Sequence, residues 1–449
     1  MSRQHEEKVR EWVQDFMGGE IVACERQPRW RPAYFLEVQK EGERLQLYFR
    51  GDRGISDATV YGLEHEMACL QVLEKEGIPV PHVFGFCPSP RGILMERSPG
   101  RADLSTAGDP GEEASVRRHY MEILARIHAL DVKPFLDAGL QPPPDPTRLG
   151  LADIEIWEKA FRRGKNRPEP LIEFALGWLK RNLPPASGPA CFVCGDSGQF
   201  LFDQGRITAV LDLELAHLGD PAEDLGALRS RDLSEPLGDI ASAIDAYGEF
   251  SLRRIDRRLI DYHTIRFALT TPLATVPVLA TARPGVDLIQ YLCWYHVYSR
   301  APIEIIAHTQ GVELIEPDLP PSRHNRHSPI YDDLSLRLAP LPEQDGFENY
   351  AGSTSHRTAV YLQRLNDYGA ALDADNIHDI NALLKSDFSD PEEAAEGLEA
   401  FILEAKSEPK AEADEELLQL LYRRCVRQEL LLEPILGEFS GARIQQLDP

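Results

Sequence analysis

Apolar and polar positions alternate with period two in five short runs between Glu20 and Arg97: "EIVACE", "AYFLEVQ", "RLQLYFR", "HVFGF" and "GILMER". That period puts successive side chains on opposite faces of a strand and predicts a small sheet. One stretch among them has helical spacing: from Tyr61 to Glu76, Leu63, Met67, Leu70 and Leu73 share a face before "GIPVP" breaks the pattern. The first residues, "MSRQHEEKVREWVQDFMGG", are also helical in pattern, with Val9, Trp12, Val13 and Phe16 on one side. After "SPGRADLS", read as a hinge, helical spacing takes over in "GEEASVRRHYMEILARIHAL", "EPLIEFALGWLKRNLP", "IDRRLIDYHTIRFAL" and "VDLIQYLCWYHVYSRAPIEIIAHTQG". A single β element interrupts them. In "QFLFDQGRITAVLDLE", strands Phe200 to Phe202 and Ile207 to Leu211 flank an Asp203-Gln204-Gly205 turn. Beyond Pro317 a Pro-rich polar segment leads into an acidic, helix-patterned tail. The pattern predicts an α+β chain in three parts: 1–99, a sheet with one helix; 100–318, mainly helical; and 319–449, a linker and helical module.

At 449 residues the chain exceeds what one core usually spans. A formal charge of -25 argues against nucleic acid as a main ligand. The longest apolar stretch, "FALTTPLATVPVLATA", is interrupted by Pro272 and Pro277 and falls short of the ~20 residues that span a bilayer, so no transmembrane helix is expected. The charged first residues lack the apolar core of a signal peptide, which points to the cytoplasm. Seven scattered cysteines favour reduced thiols. Cys191 and Cys194 form a lone C-x-x-C, without the four ligands of a zinc ribbon, and read as buried strand residues. "RHNRH" at 323–327 reads as a solvated linker.

The densest chemistry lies in "VCGDSGQF", residues 193 to 200. As a hydrolase loop it would make Ser197 the nucleophile, served by the distant "DNIH" of Asp375 to His378. The β/α alternation that carries such a nucleophile does not precede it. As a phosphotransfer site it supplies Asp196 as a base for an acceptor hydroxyl. The hairpin that follows returns a second carboxylate, Asp212, to the same mouth as a ligand for Mg²⁺. Taken alone, both aspartates also fit as turn or cap residues.

The stretch "VCGDSGQFLFDQGRITAVLDLELAHLGDPAEDL" resembles the core of the aminoglycoside phosphotransferase and choline kinase-like superfamily: His-Gly-Asp, a loop with Asn, a hairpin, Asp-Trp-Glu, then Gly-Asp-Pro-x-x-Asp-Leu. "LYFRGDRG", "GLEHEMACLQVLEKEGIPVPHVFGFCP", "GILMERSPG" and "RPEPLIEFALGWLKRNLP" extend the likeness over roughly residues 18 to 315. The resemblance implies a two-lobed, protein-kinase-like fold that uses ATP and Mg²⁺ to phosphorylate a hydroxyl of a small acceptor. It makes Asp196 the base, Asp212 the main metal ligand and Asp220 a brace for the catalytic loop. Glu66 would pair with the phosphate-binding cation of the neighbouring strand, where the family commonly has Lys and this chain has Arg50. The adenine-binding hinge falls at Met95, Glu96 and Ser98. Two positions depart from the pattern. Cys194 replaces His, and the loop after Asp196 is two residues shorter and lacks Asn, leaving Gln199 as the nearest ligand. These departures leave a weakened kinase or a nucleotide-binding pseudokinase as the alternative. Acceptor choice would lie with the later helices, which carry His263, Arg266, Trp294, Tyr295, His296 and Arg300, although for any one of these a packed helix with aromatic core residues is the stronger explanation.

Overall fold

The computed structural model describes residues 2–29, 31–54, 60–283, 285–339, 346–405 and 414–447. Helix α1 (Ser2–Met17) leads into strands β1 (Glu20–Arg26), β2 (Ala33–Lys40) and β3 (Glu43–Gly51). Helix α2 (Leu63–Lys75) and strands β4 (Val83–Pro88) and β5 (Arg91–Glu96) complete the small lobe. The strands form one antiparallel sheet in the order β1-β2-β3-β5-β4. Alternation along β2 and β3 sends Tyr34, Leu36, Val38, Leu47 and Phe49 into one core cluster with Val9, Val13 and Met17 of α1. Ile93 and Met95 of β5 belong to another, with Cys69, Leu70 and Leu73 of α2. The buried row of α2 contains one charged side chain, Glu66, and a lone carboxylate in such a row requires a partner across the packing face.

The large lobe contains α3 (Pro110–His128), α4 (Lys133–Asp137), α5 (Ile154–Gly164), α6 (Pro170–Arg181), β6 (Cys191–Val193), β7 (Phe200–Asp203), β8 (Arg206–Val210), β9 (His217–Gly219), α7 (Ala222–Arg231), α8 (Ile240–Phe250), α9 (Arg257–Leu279) and α10 (Leu288–Gln310). Helix α3 starts where a capped start is expected: the Asp109 carboxylate accepts from the Gly111 and Glu112 amides, and Pro110 opens the helix. The β7–β8 hairpin forms as the sequence predicts, with Gln204 and Gly205 both at positive φ in its turn. The expectation of a single β element is corrected, because β6 pairs antiparallel with β9 in a second two-stranded sheet. Three-residue strands are too short for any periodicity to reveal.

Four further helices follow: α11 (Ser328–Leu338), α12 (Gly346–Leu384), α13 (Pro391–Ala405) and α14 (Glu415–Leu432). Helix α11 packs on α12, while α12, α13 and α14 pack on the large lobe, with Ile380, Leu398, Leu418 and Leu421 in one core cluster with Phe161, Ile172, Leu179 and Ile265. Glu399 of α13 accepts from both the Lys165 ammonium and the Glu169 amide, 2.6 Å each. Among the described residues no helix is long and apolar enough to cross a membrane.

Candidate active site

Strand β6 is buried along its length and delivers Cys194, Gly195 and Asp196 to the lobe boundary. Gly195 sits at φ 78°, and a Cβ there would lie 2.1 Å from the Leu215 carbonyl oxygen, so the turn requires glycine. The amides of Cys194 and Gly195 donate to the Asp224 carboxylate at 2.8 and 2.9 Å, and His128 Nε2 lies 3.0 Å from the same group. Asp224, which is fully buried, is therefore the brace of the turn that carries Asp196. The sequence reading assigned that role to Asp220, and this is corrected. Asp220 receives the amide and hydroxyl of Ser187 and the Ala222 amide, fastening the lead-in to β6 and the start of α7. The two aspartates stand four residues apart, one helical turn, and spacing alone does not tell which faces the loop.

Asp196 is gripped from two sides. Arg231, at the end of α7, donates Nε to one carboxylate oxygen at 2.9 Å and Nη2 to the other, while the Gln199 amide donates at 2.8 Å. Burial pushes the Asp196 carboxyl up, offset only in part by Arg231, to about 6. Asp224 and Arg231 are seven residues apart on α7, two turns along one face, so a single helix holds both the backbone and the side chain of the turn. The Gln199 carbonyl accepts from the Leu211 amide at 3.0 Å, which extends the hairpin ladder and delivers Asp212 next. Asp212 adopts φ 56°, a left-handed conformation rare outside glycine and associated with functional sites. Its carboxylate accepts from Arg50 Nη2, and Arg50 Nε donates to Glu66 at 2.9 Å, which supplies the partner that the buried row of α2 required. Burial opposes the charge on Arg50, but Asp212, Glu66 and Glu214 together hold it firmly protonated.

A cavity of about 760 Å³ opens on these groups, and Arg50, Asp196, Gln199 and Asp212 all line it. Among the lining residues that sequence reasoning missed are Arg31, Arg53, Glu214 and Arg231. Glu214, two residues past Asp212 in "DLE", had a visible signal in that spacing, whereas no local pattern singles out the arginines. Arg31, Arg50 and Arg53 converge on Glu214, and although burial works against ionisation they hold its carboxyl well below the usual range. Of the proposed hinge residues, Met95 is buried in the sheet, Glu96 is exposed, and neither they nor Ser98 line this cavity. Trp294 lines it, but Arg266 pairs with Glu223, Tyr295 with Glu169 and Arg300 with Glu429, in the packed-helix role. The α12 residues Tyr350 and Arg357 and the segment Pro434 to Gly437 with Phe439 supply the far wall. Ser197 is buried, its hydroxyl 2.9 Å from that of Tyr120; Asp375 and His378 lie on α12, outside the cavity lining. All seven cysteines are free, as the composition suggested.

A five-stranded sheet lobe carrying α1 and α2, set over a helical lobe with paired aspartates at the boundary, has the kinase-like phosphotransferase fold. Residues 38–264 match the model of the phosphotransferase enzyme family, and the chain belongs to that family. It is 27% identical over 212 residues to acyl-CoA dehydrogenase family member 11 of Rattus norvegicus, covering 44% of this chain and 26% of that protein. It is also 27% identical over 208 residues to family member 10 of Mus musculus, covering 43% and 19%. The chain thus matches about a quarter or less of the length of these relatives. A Ralstonia eutropha protein assigned to the aminoglycoside phosphotransferases superposes with TM-score 0.50 at 20% identity, over 67% of this chain and 97% of its own. A thermostable mutant of aminoglycoside phosphotransferase APH(4)-Ia, in ternary complex with AMP-PNP and hygromycin B, gives 0.50 at 15%, over 68% and 100%. At these identities the structural likeness concerns the fold.

Proposed function

We propose that this protein is an ATP-dependent small-molecule kinase in which Asp196 accepts the proton of an acceptor hydroxyl and Arg50, paired with Glu66, steadies the phosphates. The observation that carries the reading is the convergence of Asp196, Gln199, Asp212 and the Arg50–Glu66 pair on one cavity. A carboxyl at about 6 is a carboxylate at neutral pH and still basic enough to take a proton in the transition state. The nucleotide is inferred from the family and from the AMP-PNP held by the structural relative. The donors at the site are hard oxygens, the Asp212 carboxylate and the Gln199 amide, which suit Mg²⁺. Mg²⁺ is usually held by one or two carboxylates together with substrate phosphates, and Asp212 supplies such a carboxylate to the cavity. When bound, Mg²⁺ would neutralise charge developing on the transferred group. The adenine-binding stretch is proposed at Met95, Glu96 and Ser98.

The acceptor side of the cavity is aromatic and hydroxylated, with Trp157, Phe267, Thr270, Thr271, Tyr291, Trp294 and Tyr298. Each lining carboxylate is engaged by arginine: Asp196 and Glu235 by Arg231, Asp212 by Arg50, Glu214 by three arginines. This favours an alcohol with an apolar body over a polycation, which would find no spare carboxylate among these residues. The test is ADP release with Mg²⁺ and pooled hydroxylated acceptors, comparing wild type with Asp196→Asn. Loss of a general base is expected to lower turnover by ~10²- to 10⁴-fold with nucleotide affinity retained; full turnover by the variant refutes the assignment. The second reading, a nucleotide binder without turnover, draws on the arginine partners that occupy both aspartates. Its signature is Mg²⁺-dependent nucleotide binding with no ADP from any pool.

A further inference from the structure

The turn between β1 and β2 carries an arginine with no local reason to be buried. Arg31 is only 4% exposed, yet two of its three guanidinium nitrogens, Nε and Nη1, are buried without a hydrogen-bond partner. Its third nitrogen, Nη2, donates to Glu214, which Arg50 and Arg53 also engage. The side chain lines the same cavity as Asp196 and Asp212. Its placement is built in. The Gln27 amide donates to the Ala33 carbonyl at 2.9 Å and the Gly51 amide to the Pro32 carbonyl at 2.8 Å, pinning the turn to the sheet on both sides of Arg31. A Cβ on Gly51 would lie 2.5 Å from the Pro32 oxygen, so the close approach depends on that glycine.

A guanidinium desolvated among like charges with two donors unsatisfied is unfavourable in isolation. Its planar fork matches a tetrahedral oxyanion, and within the cluster of Arg31, Arg50 and Arg53 with Glu66, Asp212 and Glu214 it keeps two donors without a partner. We propose that Arg31 is a phosphate-binding residue, holding the terminal phosphates of the nucleotide from the β1–β2 turn beside Arg50, with which it shares Glu214. This rests on the phosphotransferase reading for the identity of the anion, but its test requires neither acceptor nor turnover.

Calorimetric titration of the full chain with Mg-ATP, metal-free tripolyphosphate, AMP and adenosine isolates the contribution of the terminal phosphates. Wild type is expected to bind Mg-ATP and tripolyphosphate. Arg31→Met is expected to weaken both by roughly ten- to a hundredfold, as for lost charge-assisted hydrogen bonds, while adenosine and AMP affinities change by less than about twofold. Arg31→Lys should fall between, because it keeps charge without the fork. Glu214→Gln guards against a folding defect in the arginine variants. It removes the protein partner of Arg31 and is expected to preserve or strengthen tripolyphosphate binding. Unchanged tripolyphosphate affinity in Arg31→Met, equal weakening of AMP and adenosine, or a Glu214→Gln variant that weakens binding as much as Arg31→Met would overturn the proposal. Failure of wild type to bind either polyphosphate would also overturn it. Intact polyphosphate binding with no phosphoryl transfer would instead remove the kinase reading and leave Arg31 as an anion clamp.

Discussion

Arg231→Met offers the most direct probe of the catalytic turn, because Arg231 is the main opposing influence on an aspartate that burial has already driven to about 6. The fork from Arg231 to Asp196 is charge-assisted at both oxygens, and the pair is largely buried. A bond of this kind is worth about 1.5–3 kcal/mol. At 1.36 kcal/mol per pH unit, its loss raises the Asp196 carboxyl by roughly one to two units, to between about 7 and 8. Glu235, released from the same arginine, pushes in the same direction. With Asp196 as the proposed base, only its carboxylate accepts the acceptor proton, so activity is expected above the Asp196 value and is lost as pH falls through it. The acidic limb of the kcat/KM profile, measured by ADP release, is expected near pH 6 in wild type and roughly one to two units higher in the variant. Arg231→Lys should move it less. A limb that stays in place, or moves to lower pH, refutes the claim that Arg231 sets the protonation of Asp196.

Asp224→Ala strips the acceptor from two buried backbone amides and from His128. It is expected to cost about 3–5 kcal/mol in urea unfolding, against less than about 1 kcal/mol if the brace is dispensable. Arg357 ties the Ile435 carbonyl, Gln290 and Cys293 together behind the far wall of the cavity. Arg357→Met should therefore raise the acceptor KM severalfold while the KM for ATP is unmoved, a split that steady-state kinetics reads directly.

The small lobe was legible because its strands are long enough for alternation to show, and because the one helix among them carries its apolar stripe and Glu66 in a single row. The β7–β8 turn announced itself through Asp203, Gln204 and Gly205. Asp196, Asp212, Glu66 and Arg50 were readable as a set because several motifs agreed in order. What escaped was non-local. The β6–β9 pairing joins two three-residue strands across the hairpin, and Arg231 and Arg31 gain meaning only when distant elements bring them to the cavity. The Asp220 and Asp224 roles exchanged for a related reason, since both lie in "GDPAEDL" and only the three-dimensional path of β6 decides which one meets the turn.

The way the last helices share the core of the large lobe constrains how this chain folds. Lys165 and Glu169 meet Glu399, and Arg229, two residues before Arg231, donates to the carbonyl of Gln445. These contacts close loops of more than 200 residues, and such loops form late because closure entropy is lost before any packing is gained. A nascent chain synthesised through residue 318 holds both aspartates but not Leu398, Leu418 or Leu421, which share a core cluster with Phe161 and Ile172. During synthesis the small lobe can settle early on its local contacts. The large lobe must wait with apolar surface open, which makes that interval the aggregation-prone stage in the life of the molecule.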